Sequence, residues 1–513
     1  MKNLSLALLS LLLLTGCQVN INTGMTSENL ISDSTSKVEE SSSFKTYEKT
    51  SEVKLTTGDK ENLFKTVDNI KTSDHQIEGS TLISVDESKT IAPVKMFGAA
   101  LTHASAHQLM LDKTGVQRRE ILEDLFTDKG ADFNAIRLPI GASDFHAEEH
   151  VFTCCDTKGS DDNLLEHFTL EHDEEVIQVI KEIYEIKPDL KIIAVPWSAP
   201  EWMKLNTRAS SEDPEGPKLC GGTLNDDYLT IFGQYLNEFC YRYFDEGIRI
   251  DYLTFENEPT FNGADYPCML LSPYQADLLA LQLNSTLPEC TNLIAYDHNC
   301  EAGMYTYLEN EFADSEQRSL FPAIAIHGYG SEAIPTGVRK LRALYPEKEV
   351  YMTEITEWEH GSSFDTDLMY VCRNTTINAY RSGLSGTLYW NLILDSNGGP
   401  NIGQKSTCYG VVNIDQNEDG TLAYTKRPSF YGLASISRML HIQEDKTTYS
   451  LETNYQDDGI LAIAFKKEDK YSIAIANTSY ENKEVSVKIL NQFYNYLLAS
   501  RSLVSFTLEW NPL

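Results

Sequence analysis

The stretch Asp251-Tyr252-Leu253-Thr254-Phe255-Glu256-Asn257-Glu258-Pro259 decides how this chain is read. Its first half is a short apolar run suited to a buried strand, and its second half turns polar and closes on proline, which ends one. Runs of the same kind recur at 96–101, 135–139, 191–195, 293–296, 323–326, 350–352 and 386–392, which with 251–255 makes eight. Between them lie segments long enough for helices. Examples are 226–245 and 173–185, the latter apolar at Val176, Ile177, Ile180 and Ile183. Strand alternating with helix over about 300 residues is the signature of a (β/α)8 TIM barrel, an α/β fold enlarged here by long loops. A doubly wound open sheet is the competitor. The count of eight favours the barrel, as does the lack of a Gly-rich phosphate loop after the first strand.

Outside this region, 96–425, the texture changes. Segments 459–465, 471–476 and 483–490 alternate apolar and polar residues across turn material, as antiparallel strands with one covered face do. They predict an appended β-sandwich over 426–513, with a strand contribution from 78–95. Residues 17–77, rich in Ser, Thr, Lys and Glu, read as a solvated tether. At the start, Lys2 precedes an apolar stretch, 4–14, too short to cross a bilayer. It ends in Leu14-Thr15-Gly16-Cys17, which resembles a bacterial lipoprotein signal, with 1–16 removed and Cys17 carrying the lipid. The expectation is an exported, lipid-anchored protein of the cell envelope whose membrane contact runs through Cys17. An ordinary signal peptide is the alternative. The other nine cysteines would then meet an oxidising compartment, and an odd number leaves at least one unpaired or paired between chains.

Composition narrows the function classes. The 513 residues are 41% hydrophobic, ample for a large core, and ten cysteines are too sparse for a disulfide-built fold. Lys and Arg total 42 against 76 Asp and Glu, a formal charge of −34. Such a surface repels phosphates, so nucleic acid is excluded as a partner and a neutral ligand is favoured. Nothing indicates the oligomeric state.

In a barrel of this kind, chemistry sits where the strands end. The fourth run ends at Glu258 and the seventh at Thr353-Glu354. Three strand–helix units of roughly 30 residues separate those ends, which predicts about 90 residues between them. Glu258 and Glu354 are 96 apart. Two carboxylates facing each other across a barrel mouth, with no metal-ligand motif nearby, point to glycoside hydrolysis, one as acid/base and one as nucleophile. No cofactor is needed.

With these residues in view, the chain from Met96 onward resembles glycoside hydrolase family 30, which holds glucosylceramidases and microbial β-1,6-glycanases. Phe97-Gly98-Ala99-Ala100-Leu101-Thr102 resembles the family's opening strand. Arg137-Leu138-Pro139-Ile140-Gly141-Ala142-Ser143-Asp144-Phe145 matches the second-strand motif. There the resemblance implies that Arg137 supports the nucleophile and that Asp144 binds sugar hydroxyls. Pro196-Trp197-Ser198-Ala199-Pro200-Glu201-Trp202-Met203-Lys204 matches the third-strand loop, with Trp197 in the sugar pocket. The resemblance makes Glu258 the acid/base, Glu354 the nucleophile and Asn257 a contact of the 2-hydroxyl. It also places His327 and Tyr329 after strand six, Trp390 beneath the sugar, and Asn401 along the pocket. His103 stands where the family often has Asp, and His327-Gly328-Tyr329 replaces the lysosomal His-Trp-Tyr, removing an aromatic wall. Ser-Asp-Phe preceded by Gly-Ala, and Trp-Ser-Ala-Pro, also resemble the endo-β-1,6-glycanase branches.

Rival readings are set beside these. Glu357 lies three residues past Glu354, but Glu354 ends the strand. His103 and His107 have helical spacing without a metalloprotease motif. Asp415-Gln416-Asn417-Glu418-Asp419-Gly420 begins like a calcium loop, yet its twelfth position is Lys426, so a hairpin turn is the better reading. The expectation is a retaining β-glucosidase of glucosylceramidase type acting on a neutral β-linked glycan or glycolipid. The alternatives are an endo-β-1,6-glucanase or galactanase, and, further off, a non-catalytic glycan-binding lipoprotein.

Overall fold

The computed structural model describes residues 46–357, 363–403 and 408–511, without the side chains of 46–48 and 509–511. The signal segment, Cys17 and the tether up to residue 45 lie outside the described residues.

Eight parallel strands close into a barrel. They are β1 (Met96–Ala100), β2 (Ala135–Ile140), β3 (Lys191–Pro196), β4 (Tyr252–Leu253), β5 (Asn292–Asn299), β6 (Ala323–His327), β7 (Glu349–Glu354) and β8 (Gly386–Tyr389). Neighbours in sequence are neighbours in space, and β8 returns to β1. Strands such as β1, β2 and β6 are buried at every residue. That explains why they read as continuous apolar runs: helices cover one face and barrel-lining side chains the other. Met96, Ala135, Ile193, Ile294, Ala323, Tyr351 and Leu388 pack together inside. Helix Glu174–Ile186 buries Val176, Val179, Ile180 and Ile183 along one stripe, as its periodicity requires.

Two parts of the sequence reading are corrected. The span 17–77 is not a tether throughout, because Thr46–Thr57 is a strand antiparallel to Ser502–Asn511. It escapes a period-two reading because the register shifts between Ser51 and Lys54, where Glu52 adopts a φ of 48°. Its buried positions, Thr50, Val53, Thr56 and Thr57, therefore fall out of alternation, and three of them are threonines. The barrel region also runs past 425. Helix Pro428–Leu440 buries Phe430, Leu433, Ala434 and Ile436 in the same apolar cluster as the barrel helices, so the sandwich resumes only at Thr448.

The sandwich itself is a ten-stranded, mostly antiparallel sheet. Ile460–Lys467, Lys470–Asn477 and Lys483–Ile489 appear as read, and Thr81–Val94 joins them between Thr448–Asn454 and Lys483–Ile489. Its core packs Ile83, Leu451, Ile473, Ile475, Val485, Val504 and Phe506.

Candidate active site

Strand ends of the barrel converge on Arg137, which is fully buried in β2. Its Nη1 donates to Glu354 Oε2 at 2.6 Å, and its Nη2 to Asn257 Oδ1 at 2.7 Å and Asp297 Oδ2 at 3.1 Å. One guanidinium therefore ties the ends of β2, β5 and β7 to the segment after β4, using the planar fork that only arginine offers. A buried cation of this kind persists because it is paired. Burial opposes its charge, but Asp297 and Glu354 more than offset that and hold its proton tighter than usual. Asp297 also accepts from Thr254 Oγ1 at 2.9 Å and from Thr353 Oγ1. Burial would raise its proton affinity, yet Arg137 and His327 hold it well below the ordinary carboxylate range.

Glu258 stands opposite, with a φ of 56° that turns the chain sharply out of β4. Four side chains surround its carboxylate. Tyr266 donates to Oε2 at 3.0 Å and Asn299 Nδ2 to Oε1 at 3.3 Å. Nδ1 of His298 lies 3.2 Å from Oε1 and Nδ1 of His327 lies 3.4 Å from it. Burial alone would push the carboxyl up, but the two imidazoles hold it below the usual carboxylate range. His327 is charged at neutral pH. Burial disfavours its charge, while Glu354, Asp297 and Glu258 raise its pKa to about 9. His327 Nδ1 is also 4.0 Å from Glu354 Oε2. Those two distances cap the gap between the carboxylate oxygens at about 7.4 Å. That admits the roughly 5–5.5 Å of retaining enzymes and excludes most of the roughly 6.5–9.5 Å inverting range.

The sugar side is aromatic. Trp197 and Trp390 stack at 5.2 Å and 23°, and Phe145 meets Trp390 edge-on at 5.7 Å. Arg137 lies 4.8 Å from the Trp197 ring, so the aromatic wall and the carboxylate clamp are one packed unit. Ile402 N donates to the Asp144 carbonyl at 3.0 Å and brings the loop of Asn401, whose Nδ2 donates to Gly398 O, alongside Asp144. Burial first, then the charges of Glu354 and Glu258, raise Asp144 to about 8. At pH 7 it is therefore held largely as the acid, able to donate to a sugar hydroxyl as well as accept from one. Asp144→Ala is expected to lower kcat/KM by roughly 2–4 kcal/mol of transition-state stabilisation, and less on the deoxy-sugar that lacks its partner hydroxyl. A loss of equal size on every deoxy-analogue would show that Asp144 does not read a sugar hydroxyl.

Tyr329 meets His327 edge-on at 6.2 Å. Between them, a Cβ on Gly328 would come within 2.6 Å of Ile355 Cδ1, so the buried Ile355 packs directly against Gly328 and leaves no room for a side chain there.

Several candidates fall away from the site. His103 Nε2 pairs with Asp173 at 2.8 Å, and Tyr243 donates to the same carboxylate at 2.6 Å, which makes a buried structural bridge. His107 pairs with Glu175 at the surface. Glu357 accepts from Tyr389 behind the pocket, where burial raises it to about 7. The calcium-like segment is the hairpin turn between Val412–Gln416 and Leu422–Lys426. Cys154, Cys155, Cys220, Cys240, Cys268, Cys290, Cys300 and Cys372 are free thiols. Glu258, His298 and His327 present donor atoms within 4.8 Å of one another, a set that resembles a metal site. A ligand must shed its proton to bind metal, and the raised proton affinity of His327 opposes that.

Asp297, His298, Asn299 and Tyr266 were not reached from sequence. Strand five was read as ending at Tyr296, whereas β5 continues through a bulge in which Tyr296 and Asp297 adopt φ of 76° and 72°. The signal available was the polar run Asp297-His298-Asn299 directly after an apolar strand.

The chain is similar to known proteins. Residues 94–440 match the glycosyl hydrolase family 30 TIM-barrel domain. The endo-1,6-beta-D-glucanase neg1 of Aspergillus fumigatus is 29% identical over 356 residues, covering 67% of this chain and 70% of that protein. The lysosomal acid glucosylceramidase of Mus musculus is 24% identical over 425 residues, 79% of each chain. Among solved structures, the endo-beta1,6-glucanase BT3312 superposes with a TM-score of 0.76 at 27% identity, covering 89% of this chain and 98% of that one. The buried carboxylate pair thus sits in a barrel that is matched from end to end, and the chain belongs to glycosyl hydrolase family 30 and is a glycoside hydrolase.

Proposed function

We propose that the enzyme cleaves β-linked glucosides with retention, and that its preferred substrate is a β-1,6-linked glucan. The observation that carries the mechanism is the close approach of Glu258 and Glu354 through His327. Glu258, held ionised in the free site, first takes a proton from solvent; it then protonates the leaving oxygen while Glu354 Oε attacks the anomeric carbon, and afterwards takes a proton from the water that releases the sugar. Glycosylation consumes the charge of Glu354, the largest support of the His327 cation, so the electrostatics around Glu258 change between the two steps. Trp197 and Trp390 pack against the apolar faces of the sugar ring, and Asn257, held by Arg137, reaches its 2-hydroxyl.

The choice of glucan rests on two supports. The relatives at 29% and 27% identity are named as β-1,6-glucanases. In addition, Gly328, packed against Ile355, offers no ring for a lipid aglycone to pack on. Glucosylceramide is the second reading, favoured by the coverage of the lysosomal relative. The same proposal includes export with a lipid on Cys17, which would hold the enzyme at a membrane surface. Assays on β-1,6-glucan, β-1,6-galactan and glucosylceramide, with proton NMR of the first-formed product, are the test. Turnover should be fastest on β-1,6-glucan, with the β-anomer appearing first. An initial α-anomer would end the retaining mechanism, and preference for glucosylceramide would end the glucan assignment.

A further inference from the structure

Consecutive residues of a regular strand face opposite ways, yet Asp297 and His298 both enter the site. The bulge in β5 makes this possible, with the register slipping between Tyr296 and His298 against β6. Asp297 is spent on Arg137, His327, Thr254 and Thr353. His298, almost fully buried, has one charged neighbour in ion-pair range among the described residues, Glu258 Oε1 at 3.2 Å. Its other close neighbours are rings, Tyr296 at 5.9 Å and His327 at 6.3 Å. His327 differs, because its Nε2 is held by Asp297, so it belongs to the network that fixes Arg137 and Glu354.

We propose that His298 is a positioning residue for the acid/base: its ring presents Nδ1 to Glu258 Oε1 at 3.2 Å and so sets the pH at which Glu258 loses its proton. The inference rests on the reading of Glu258 as acid/base. A donor to the carboxylate favours the ionised form. Removing it therefore raises the proton affinity of Glu258, and the alkaline limb of kcat/KM, which reports the general acid in the free enzyme, moves to higher pH. The other groups bearing on Glu258 are Asn299 from β5, His327 from β6, Tyr266 after β4, Glu354 from β7, and Arg137 and Asp144 on and after β2. All of them remain in a His298 variant.

The test compares pH profiles for His298→Phe, His298→Ala and His298→Asn. Phe and Ala remove the contact with a large and a small side chain, so a packing failure in one does not spoil the other. Asn keeps an amide donor near the place of Nδ1. For Phe and Ala the alkaline limb should rise by about one pH unit while KM stays within about twofold. The kcat/KM for dinitrophenyl glycosides, whose leaving group needs no proton, should change far less than that for poor leaving groups. Asn should restore the parental limb. An unmoved limb in Phe or Ala would overturn the proposal, as would a limb moved equally in all three variants. So would a loss of rate shared by every leaving group and every pH, which marks a merely structural role. Azide rescue of Glu258→Ala separates the two claims. Rescue with an unmoved limb overturns the role of His298 alone, whereas no rescue overturns the acid/base reading beneath it.

Discussion

Glu354→Gln should leave a folded protein whose turnover is lower by roughly ten-thousandfold or more, because the amide cannot attack the anomeric carbon. The substitution keeps size and an oxygen able to accept from Arg137, and Asp297 continues to balance the guanidinium. The fold should therefore survive with a lowered Tm, since weakening one partner of a buried ion pair costs up to roughly 3–5 kcal/mol. Circular dichroism would establish the fold, and hydrolysis of an aryl β-glucoside would measure the loss. Near-parental turnover would remove Glu354 as the nucleophile.

Glu258→Ala should behave differently according to the leaving group. Poor leaving groups, which need the proton, should lose roughly 10²- to 10⁴-fold, while dinitrophenyl glycosides should still form the glycosyl-enzyme quickly and then stall. The vacated space is lined by His298, His327, Tyr266 and Asn299, and the cationic His327 makes it attractive to an anion. Azide should enter there and release a β-glycosyl azide, identifiable by mass and by its anomeric proton. A variant that azide does not accelerate on any substrate would remove Glu258 from the role.

Both glutamates could be found from sequence because the barrel repeats. A strand–helix unit has a nearly constant length, so the spacing of 96 residues between strand ends carries geometric meaning. Arg137, Asp144, Trp197 and Trp390 stand on local motifs that the resemblance to the family supplied. Asp297 and His298 were hidden for a physical reason. Their joint entry depends on positive-φ torsions at Tyr296 and Asp297; a bulky tyrosine rarely adopts that region, and an aspartate, which tolerates it better, does not announce it. The strand Thr46–Thr57 was hidden for a related one, because its bulge scrambles alternation and its inward positions include threonine, a residue equally at home in a solvated segment. Gly328 was read as an opened wall, whereas the neighbouring Ile355 occupies the space. A sequence shows what a position lacks but not what its spatial neighbour supplies.

The pairing of Thr46–Thr57 with Ser502–Asn511 bears on how the molecule is made. The first described strand waits through the synthesis of more than four hundred residues before its partner leaves the ribosome. During that interval it is an open edge able to recruit any other strand, and such long-range closure is slow compared with local helix formation. The barrel, whose strands pair in order of sequence, can close while the sheet beside it is still unfinished. Translation thus delivers the barrel before the last described strand, and a chain cut before Ser502 would leave Thr46–Thr57 and Lys470–Asn477 without the strand that lies between them.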